Sequence, residues 1–185
     1  GTFRFRNGTA THLDVAGNGD ISFYEDTGTT SKFFWDASAE RLGLGTSSPS
    51  AMIDLSKSGT GDYSTIRFSN TGASGKRYEI GLGGNTSSAG YSNNLYFYDS
   101  TASALRMVLD SSGNVLVGKT SATIATAGVE LRGNGQLFAT QDANYPLLLN
   151  RLTSDGDIAV FRKDGTTVGS IGANGGDLYI GTGDT

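Results

Sequence analysis

Tight-turn dipeptides constrain this chain more than any other feature of its sequence. Asn-Gly and Asp-Gly pairs tolerate positive φ angles, and they match the right-handed twist of a two-residue β-hairpin. Such pairs recur along the 185 residues, at Asn7-Gly8, Asn18-Gly19, Asn134-Gly135, Asp155-Gly156, Asp164-Gly165 and Asn174-Gly175. Glycine is frequent, with 28 residues, and it lacks the every-third-residue period of collagen. So many turns exclude a large helical bundle, and we expect short strands joined by hairpins.

The turns open a recurring unit, in which a polar turn leads directly into a short apolar strand. Most successive junctions lie about 20 to 22 residues apart, the spacing of a hairpin or solenoid repeat. The predicted junctions are Gly19-Asp20-Ile21, Glu40-Arg41-Leu42, Gly61-Asp62-Tyr63, Asn93-Asn94-Leu95, Gly113-Asn114-Val115, Gly135-Gln136-Leu137, Gly156-Asp157-Ile158 and Gly176-Asp177-Leu178. The one longer gap predicts three parts: a repetitive β shaft over 1–62, a β insertion or small globular β element over 63–94, and a repetitive β shaft over 95–185.

Apolar residues alternate with period 2 on both sides of these turns. Met107 and Leu109 precede the turn at 111–114, and Val115 and Val117 follow it, which is the pattern of half-buried strands. Only 37–41 and 121–127 could form a helical turn, and both are shorter than the roughly 12 residues of an autonomous helix. The sequence therefore predicts an all-β fold.

The chain contains few large apolar residues for its length. Leu, Ile, Val and Phe total 40 residues, about 22% of the chain and just above the level of disordered proteins. Three chains around a common axis would pool their apolar side chains and pair their exposed strand edges. We therefore expect an elongated, intertwined homotrimeric β shaft, resembling a β-prism or triple β-helix. Its predicted trimer core is Ile21, Phe23, Leu42, Leu44, Leu109, Val115, Val117, Leu137, Ile158, Val160, Leu178 and Ile180.

Two alternatives remain open at this point. One is a monomeric β-solenoid or β-sandwich that binds carbohydrate, and the other is a polysaccharide-degrading spike. Flat aromatic rings stack on sugar faces, while amides bond sugar hydroxyls, and the stretch 83–94 is rich in Gly, Ser and Asn around Tyr91. The predicted receptor-facing residues are Lys76, Arg77, Asn85, Tyr91 and Asn93. An ordinary exposed loop explains the same composition.

Several phrases of the sequence resemble the repeats of phage tail fibres and related tailspike-like proteins. They are the stretches 21–26 and 33–49, with Phe-Phe-Trp-Asp-Ala-Ser-Ala-Glu-Arg-Leu-Gly-Leu-Gly-Thr-Ser-Ser-Pro in the second, and the stretches 94–99 and 105–115. The resemblance covers most of the chain. It implies an intertwined homotrimer on the virion, which binds other tail or baseplate proteins and a host-surface receptor such as a polysaccharide or outer-membrane component.

In many relatives an intramolecular chaperone, which cleaves itself off, follows a segment resembling 169–185. No such domain is present here, so self-cleavage is not implied. The first residue is not Met, and the last residues, Gly-Thr-Gly-Asp-Thr, end abruptly. We expect a segment of a longer chain that continues beyond residue 185.

Signals for catalysis and cofactors are weak. His12 is the sole histidine, and we interpret it as a surface or turn residue because no positioned serine accompanies it. The carboxylate pairs Asp14 with Asp20 and Asp155 with Asp157 could form a glycosidase site, but Asp at such places also caps turns. We expect a structural protein without enzymatic activity or cofactor.

Metal, nucleic-acid and membrane binding have equally weak support. The stretch 172–180 matches a calcium-binding nonapeptide once, and no second repeat follows to complete a site. The chain has no cysteine, and its net charge of -4 lacks the basic stripe of a nucleic-acid surface. The longest wholly apolar stretch is 145–149, far short of the about 20 residues that span a membrane. We expect no metal site and no nucleic-acid partner.

Overall fold

The computed structural model of the protein describes residues 1–57, 63–85 and 91–182. In these residues the regular structure is entirely β, as predicted, and it forms three sheets. The chain divides into two compact units, Gly1–Thr140 and Gln141–Thr185. The first unit contains two of the sheets and the second contains the third.

The first sheet has six strands in chain order. Neighbouring strands are antiparallel, except that the last two are parallel. The strands are β1 (Phe3–Asn7), β2 (Ala10–Val15), β3 (Ile21–Tyr24), β4 (Ser31–Asp36), β5 (Arg41–Leu44) and β6 (Ile53–Leu55).

The second sheet is an antiparallel meander of seven strands, again in chain order. Its strands are β7 (Ser64–Ser69), β8 (Arg77–Leu82), β9 (Leu95–Asp99), β10 (Ala104–Leu109), β11 (Val115–Val117), β12 (Gly128–Leu131) and β13 (Leu137–Thr140). The alternating runs at 65–68 and 77–82 lie within β7 and β8. Because these strands pair with each other and β8 pairs with β9, they belong to the same sheet as the residues that follow them. The predicted division at residues 62 and 94 stays a prediction.

The third sheet, in the second unit, has three antiparallel strands: β14 (Gly156–Lys163), β15 (Thr166–Asn174) and β16 (Asp177–Thr182). Asp164 and Gly165, between β14 and β15, both have positive φ, at 52° and 81°. This is the conformation of a type I′ hairpin turn. The Asp-Gly signal in the sequence therefore placed this hairpin correctly.

The turn residues explain why strands begin where they do. In the β10–β11 turn, the Asp110 carboxylate accepts hydrogen bonds from the backbone N–H groups of Ser112 and Asn114, both at 2.9 Å. Gly113 has a φ of 80°, which glycine adopts without a steric penalty. The carboxylate thus accepts backbone N–H groups that would otherwise bond to water, and it stabilises the turn that precedes β11 at Val115.

The predicted junctions agree with the structure within the described residues. Strands begin at Ile21, Arg41, Leu95, Val115 and Leu137, and two more begin at Gly156 and Asp177. The junction at 61–63 falls partly on residues outside the described ranges. The stretches 37–41 and 121–127 form turns, not helices, and the described chain has no helix of the length and hydropathy needed to cross a membrane.

The fully enclosed core of the described chain is small and lies in the second sheet. Its buried apolar side chains are Tyr96, Val108 and Leu116, which are neighbours across the sheet because Val108 pairs with both of the others. These residues were not predicted as core. Apolar residues occupy both faces of β10 and β11, so the sequence does not distinguish the enclosed face from the other one.

A buried ion pair extends this core. Glu130 pairs with Leu116 in register, and its Oε1 lies 2.5 Å from Lys119 Nζ, with both side chains fully buried. Lys119 also donates to the carbonyls of Thr123 and Thr126, and Arg132 Nε donates to the second oxygen of Glu130 at 2.9 Å. The pair therefore attaches the loop between β11 and β12 to the sheet.

Candidate functional site

One face of the first sheet is formed mainly by apolar side chains. Residues that pair directly across neighbouring strands lie on the same face of a sheet, and the register brings together two unbroken rows of six. The first row is Phe3, Val15, Ile21, Trp35, Leu42 and Ile53, and the second is Phe5, Leu13, Phe23, Phe33, Leu44 and Leu55. We call this surface the first apolar face.

The first apolar face is open in the single chain. Phe3 is 65% exposed, Phe5 60% and Phe23 47%. The opposite face is polar at comparable places: Arg4 makes an ion pair of 2.9 Å with Asp14, which pairs in register with Ser22. Phe34, which pairs with Ser22, is the large apolar exception on that opposite face, and the alternation around it still specifies which face must be covered.

The second sheet has a matching surface, the second apolar face. One row comprises Leu82, Leu95, Leu109, Val115, Leu131 and Leu137, and the row beside it comprises Ile66, Ile80, Phe97, Met107, Val117, Val129 and Ala139. Leu137, Leu82 and Leu131 are 62%, 52% and 50% exposed. The enclosed residues around Val108 belong to the opposite set of alternating positions, so this sheet is apolar on both sides over its central strands.

The structure places eight of the twelve predicted trimer-core residues on these two faces. Ile21, Phe23, Leu42 and Leu44 lie on the first apolar face, and Leu109, Val115, Val117 and Leu137 lie on the second. Period-2 alternation had identified these positions correctly as members of one side of a strand. Their contact with a partner chain stays a prediction.

The other four predicted core residues, in the third sheet, do not form one set. Leu178 and Ile180 share a face, with Ile180 paired to Ile171. Val160 pairs with Ser170, at the alternate position, and therefore lies on the opposite face. A register shift between Asp157 and Ala159 causes this difference, because it leaves Ile158 without a cross-strand partner.

Tyr91 lines a groove of about 310 Å³ on the other side of the second sheet, which we call the tyrosine groove. Its remaining lining residues are Lys57, Tyr63, Thr65, Arg67, Glu79, Tyr96 and Tyr98. The Tyr91 ring centroid is 4.6 Å from that of Tyr96, 5.6 Å from that of Tyr63 and 6.3 Å from that of Tyr98. Four of the eight tyrosines of the chain thus meet at one site.

A fixed ion pair forms the polar side of the tyrosine groove. Arg67 and Glu79 pair in register between β7 and β8, and Arg67 Nη2 lies 2.6 Å from Glu79 Oε1. Ser100 Oγ donates to the same oxygen at 2.7 Å. The hydrogen bond from Ser100 and the charge and hydrogen bond of Arg67 hold the pKa of the Glu79 carboxyl below its usual value. Glu79 is therefore an ionised acceptor at neutral pH.

Two glycines make room for the tyrosines. A Cβ atom on Gly81 would lie 2.8 Å from the hydroxyl oxygen of Tyr96, and one on Gly83 would lie 2.0 Å from the backbone carbonyl oxygen of Tyr91. Tyr96 is almost completely buried beneath the cluster, and burial and the nearby Glu79 charge raise its pKa to about 12. Its hydroxyl therefore stays protonated over the physiological pH range.

Of the five predicted receptor-facing residues, only Tyr91 lines the tyrosine groove. Arg77 lies two residues before Glu79 in β8 but does not line the groove, and Lys76 lines an adjacent hollow that shares Arg67 with it. Asn93 has a φ of 56°, and its backbone N–H donates to the Gly83 carbonyl at 3.0 Å. Asn85 is exposed.

The other groove residues were not predicted. Alternation places Arg67 and Glu79 on strands, but only the pairing register of β7, β8 and β9 brings them beside Tyr98. In the sequence, the available signal for this site was the number of tyrosines near the predicted loop, together with the oppositely charged Arg67 and Glu79.

The residues weighed for catalysis hold structural partners. His12 lies in β2, with its ring 6.4 Å from that of Phe5. Asp20 accepts the backbone N–H of Ala37 at 2.9 Å, and Asp155 accepts that of Gly175 at 2.7 Å. Tyr179 donates to Asp157. In the part of the chain that the structure describes, no three or more His, Asp or Glu side chains are grouped so as to hold a metal ion.

Comparison of the chain with models of protein families, with curated proteins and with solved structures found no match.

Proposed function

We propose that this chain is a structural segment of a phage tail fibre, in which three copies assemble with their apolar faces turned toward one another. The observation that carries the proposal is the pair of open apolar faces. The first apolar face alone presents twelve large apolar side chains in two unbroken rows. Covering a Leu or Phe side chain stabilises by about 1.5–3 kcal/mol relative to leaving it in water, so faces of this size favour association.

The accessible surface of the chain supports a covered state. The single chain exposes 12620 Å². A compact domain of its mass exposes about 8,400 Å², and two separate compact units of these sizes expose about 9,900 Å². One chain therefore exposes roughly 2,700–4,200 Å² more than compact units of its size, which supports faces that are covered by partner chains.

Copies of the same chain are the simplest cover for these faces. Every strand contributes apolar side chains to these rows, so the same kind of surface on another copy of the chain can pack against them in a symmetric assembly. Three chains also pair the strand edges and pool a core that one chain supplies thinly. The proposed number of chains, three, rests on this argument and on the resemblance of the repeats to those of tail fibres.

The proposed role is mechanical. Assembled sheets would form a β shaft on the virion that positions receptor-binding regions for adsorption, in contact with other tail or baseplate proteins. The expected receptor is a polysaccharide or another component of the host outer surface. This role requires no catalysis and no cofactor.

The second candidate is a monomeric β-solenoid or β-sandwich module that binds carbohydrate, and the tyrosine groove favours it. A sandwich would bury two apolar sheet faces against each other within one chain. The exposed fractions of Phe5 and Leu137, 60% and 62%, argue against that arrangement.

Hydroxyl-radical footprinting tests whether the faces are covered. Leu137 on the second apolar face and Ile124 in the loop between β11 and β12 are each 62% exposed in the single chain. We expect Leu137 to be oxidised several-fold more slowly than Ile124. Equal oxidation of the two side chains would contradict the proposal. Electron microscopy of tailed particles labelled with an antibody to the chain then tests its place on the virion.

A further inference from the structure

The tyrosine groove combines the features of a small-molecule site on the side of the second sheet away from the second apolar face. Its volume of about 310 Å³ is at the lower end of the range of ligand pockets, about 300–1,000 Å³. This volume accommodates one or two sugar rings. Building on the polysaccharide receptor of the proposed function, we propose that the tyrosine groove binds a saccharide unit, which stacks on the tyrosine rings and forms hydrogen bonds with Arg67 and Glu79.

The aromatic side chains supply the stacking surface. Tyr96 is 3% exposed and forms the floor, whereas Tyr63 is 39% exposed and Tyr91 and Tyr98 are half-buried. Partly exposed rings held by a buried one present their faces at little cost in side-chain entropy, because a tyrosine has only two side-chain torsions. Sugar rings have apolar C–H faces that match such rings.

The ion pair supplies directional polar contacts. Glu79 is held by Ser100 and Arg67, and its side chain is only 12% exposed, while that of Arg67 is 60% exposed. A guanidinium carries five N–H donors, so the two contacts of Arg67 with Glu79 leave further donors for sugar hydroxyls. An arginine fixed by a carboxylate presents these donors in one plane.

The geometry disfavours a quaternary ammonium ligand, the main alternative for clustered tyrosines. A cation cage requires rings around an open centre, but the centroids of Tyr91 and Tyr96 are in contact distance at 4.6 Å. Arg67 and Glu79 in the lining neutralise each other, so this pair offers hydrogen-bonding groups and no net negative charge to hold a cation. A polar, neutral or acidic ligand fits this lining better.

The experiment begins with an array of mono- to tetrasaccharides that covers neutral, amino and uronic acid sugars. The strongest binder is then titrated by calorimetry into the chain, the Tyr91→Ala variant and the Tyr145→Ala variant. Tyr145 is 77% exposed and lies in the other unit, so its variant is the matched control. We expect Tyr91→Ala to weaken binding at least tenfold and Tyr145→Ala to leave it within twofold. Absence of any bound saccharide, or equal binding by Tyr91→Ala, would overturn the proposal.

A second measurement does not depend on a folded variant. With ring-labelled tyrosine, the saccharide should shift the resonances of Tyr63, Tyr91, Tyr96 and Tyr98 and leave those of Tyr24, Tyr145 and Tyr179 in place. Shifts confined to the latter group would place the ligand elsewhere and overturn the proposal. Light scattering of the same samples separates this result from the assembly proposal, because sugar binding concerns the groove and the mass concerns the apolar faces.

Discussion

The first and second sheets each have one apolar face, but they differ in the side chains on the opposite face. Behind the first apolar face are mostly polar positions such as Asp14 and Ser22, together with the half-buried Phe34. Behind the second are the enclosed side chains Tyr96, Val108 and Leu116 and the buried Lys119–Glu130 pair. The described part of the first sheet has no apolar side chain that is fully enclosed. The first sheet should therefore depend on assembly for its stability, whereas the second should retain structure without it.

The largest expected effect comes from placing a charge on an apolar face. Phe23→Asp and Val115→Asp should each abolish the proposed trimer, because assembly would bury an unpaired carboxylate at a cost of several kcal/mol per chain. Light scattering gives the mass. Ser112→Asp, in an exposed turn, is the control and should keep the parent mass. A trimer of Phe23→Asp or Val115→Asp with unchanged melting would show that the altered face is not buried.

The same variants sharpen the comparison between the sheets. Trp35, the sole tryptophan, lies on the first apolar face beside Ile21 and Leu42. Its emission should move to longer wavelength in Phe23→Asp, because the first sheet has no enclosed core to keep it folded. Hydrogen exchange at Val108 and Leu116 should stay slow in this variant. Fast exchange at both positions would contradict an independently stable second sheet.

The next effect isolates the second sheet. Lys119→Met removes one partner of a fully buried ion pair, which typically costs about 3–5 kcal/mol. Denaturant unfolding measures the loss, and the Trp35 emission of the folded first sheet should be unchanged. Lys163→Met is the control, because Lys163 is 81% exposed and surface changes of this kind usually stay within about 0.5 kcal/mol. Equal stability of the two variants would contradict the structural role of Lys119.

A smaller effect is expected from crowding the tyrosine groove. Gly81→Ala would bring a methyl group within 2.7 Å of the Thr65 methyl carbon and 2.8 Å of the Tyr96 hydroxyl oxygen. Overpacking of this kind typically costs about 1–3 kcal/mol. The control is Gly72→Ala, where the nearest atom would be 3.4 Å away. Thermal melting of both variants checks the difference, and similar melting temperatures would argue against tight packing over Gly81.

The smallest effect concerns acid. In the β3–β4 turn of the first sheet, hydrogen bonds from Thr27, Thr30 and Thr29 lower the pKa of the Glu25 carboxyl well below its usual 4.5. A carboxyl with a lowered pKa in the folded state contributes stability above its unfolded pKa and loses it as pH falls through the folded value. Melting temperature should therefore fall below about pH 4.5, and Glu25→Gln should reduce this dependence. An identical pH profile for parent and variant would rule out a contribution from Glu25.

Local patterns predicted much of the fold. Asn-Gly and Asp-Gly turns marked where strands begin, and alternation grouped Val115 with Val117 and Ile21 with Phe23 on one side of a strand, as the register has them. These features depend on a few neighbouring residues. The sequence did not reveal the enclosed face around Val108, because Met107, Val108 and Leu109 are all apolar.

Features that depend on register or on distant residues could not be predicted. The shift beside Ile158 reverses the face of Val160, and no residue type marks it in the sequence. Tyr91 was predicted as a ligand contact, but its neighbours Tyr63 and Tyr98 come from separate strands or strand ends. The contact of Lys119 with Glu130 likewise joins a loop to a strand across 11 positions.

The mass of the chain in solution, measured by light scattering, tests the central claim most directly. The proposed assembly predicts a particle of three chains, each of 19.2 kDa, with Trp35 shielded from solvent. A stable, folded monomer of 19.2 kDa would contradict the assembly and would favour the monomeric carbohydrate-binding module.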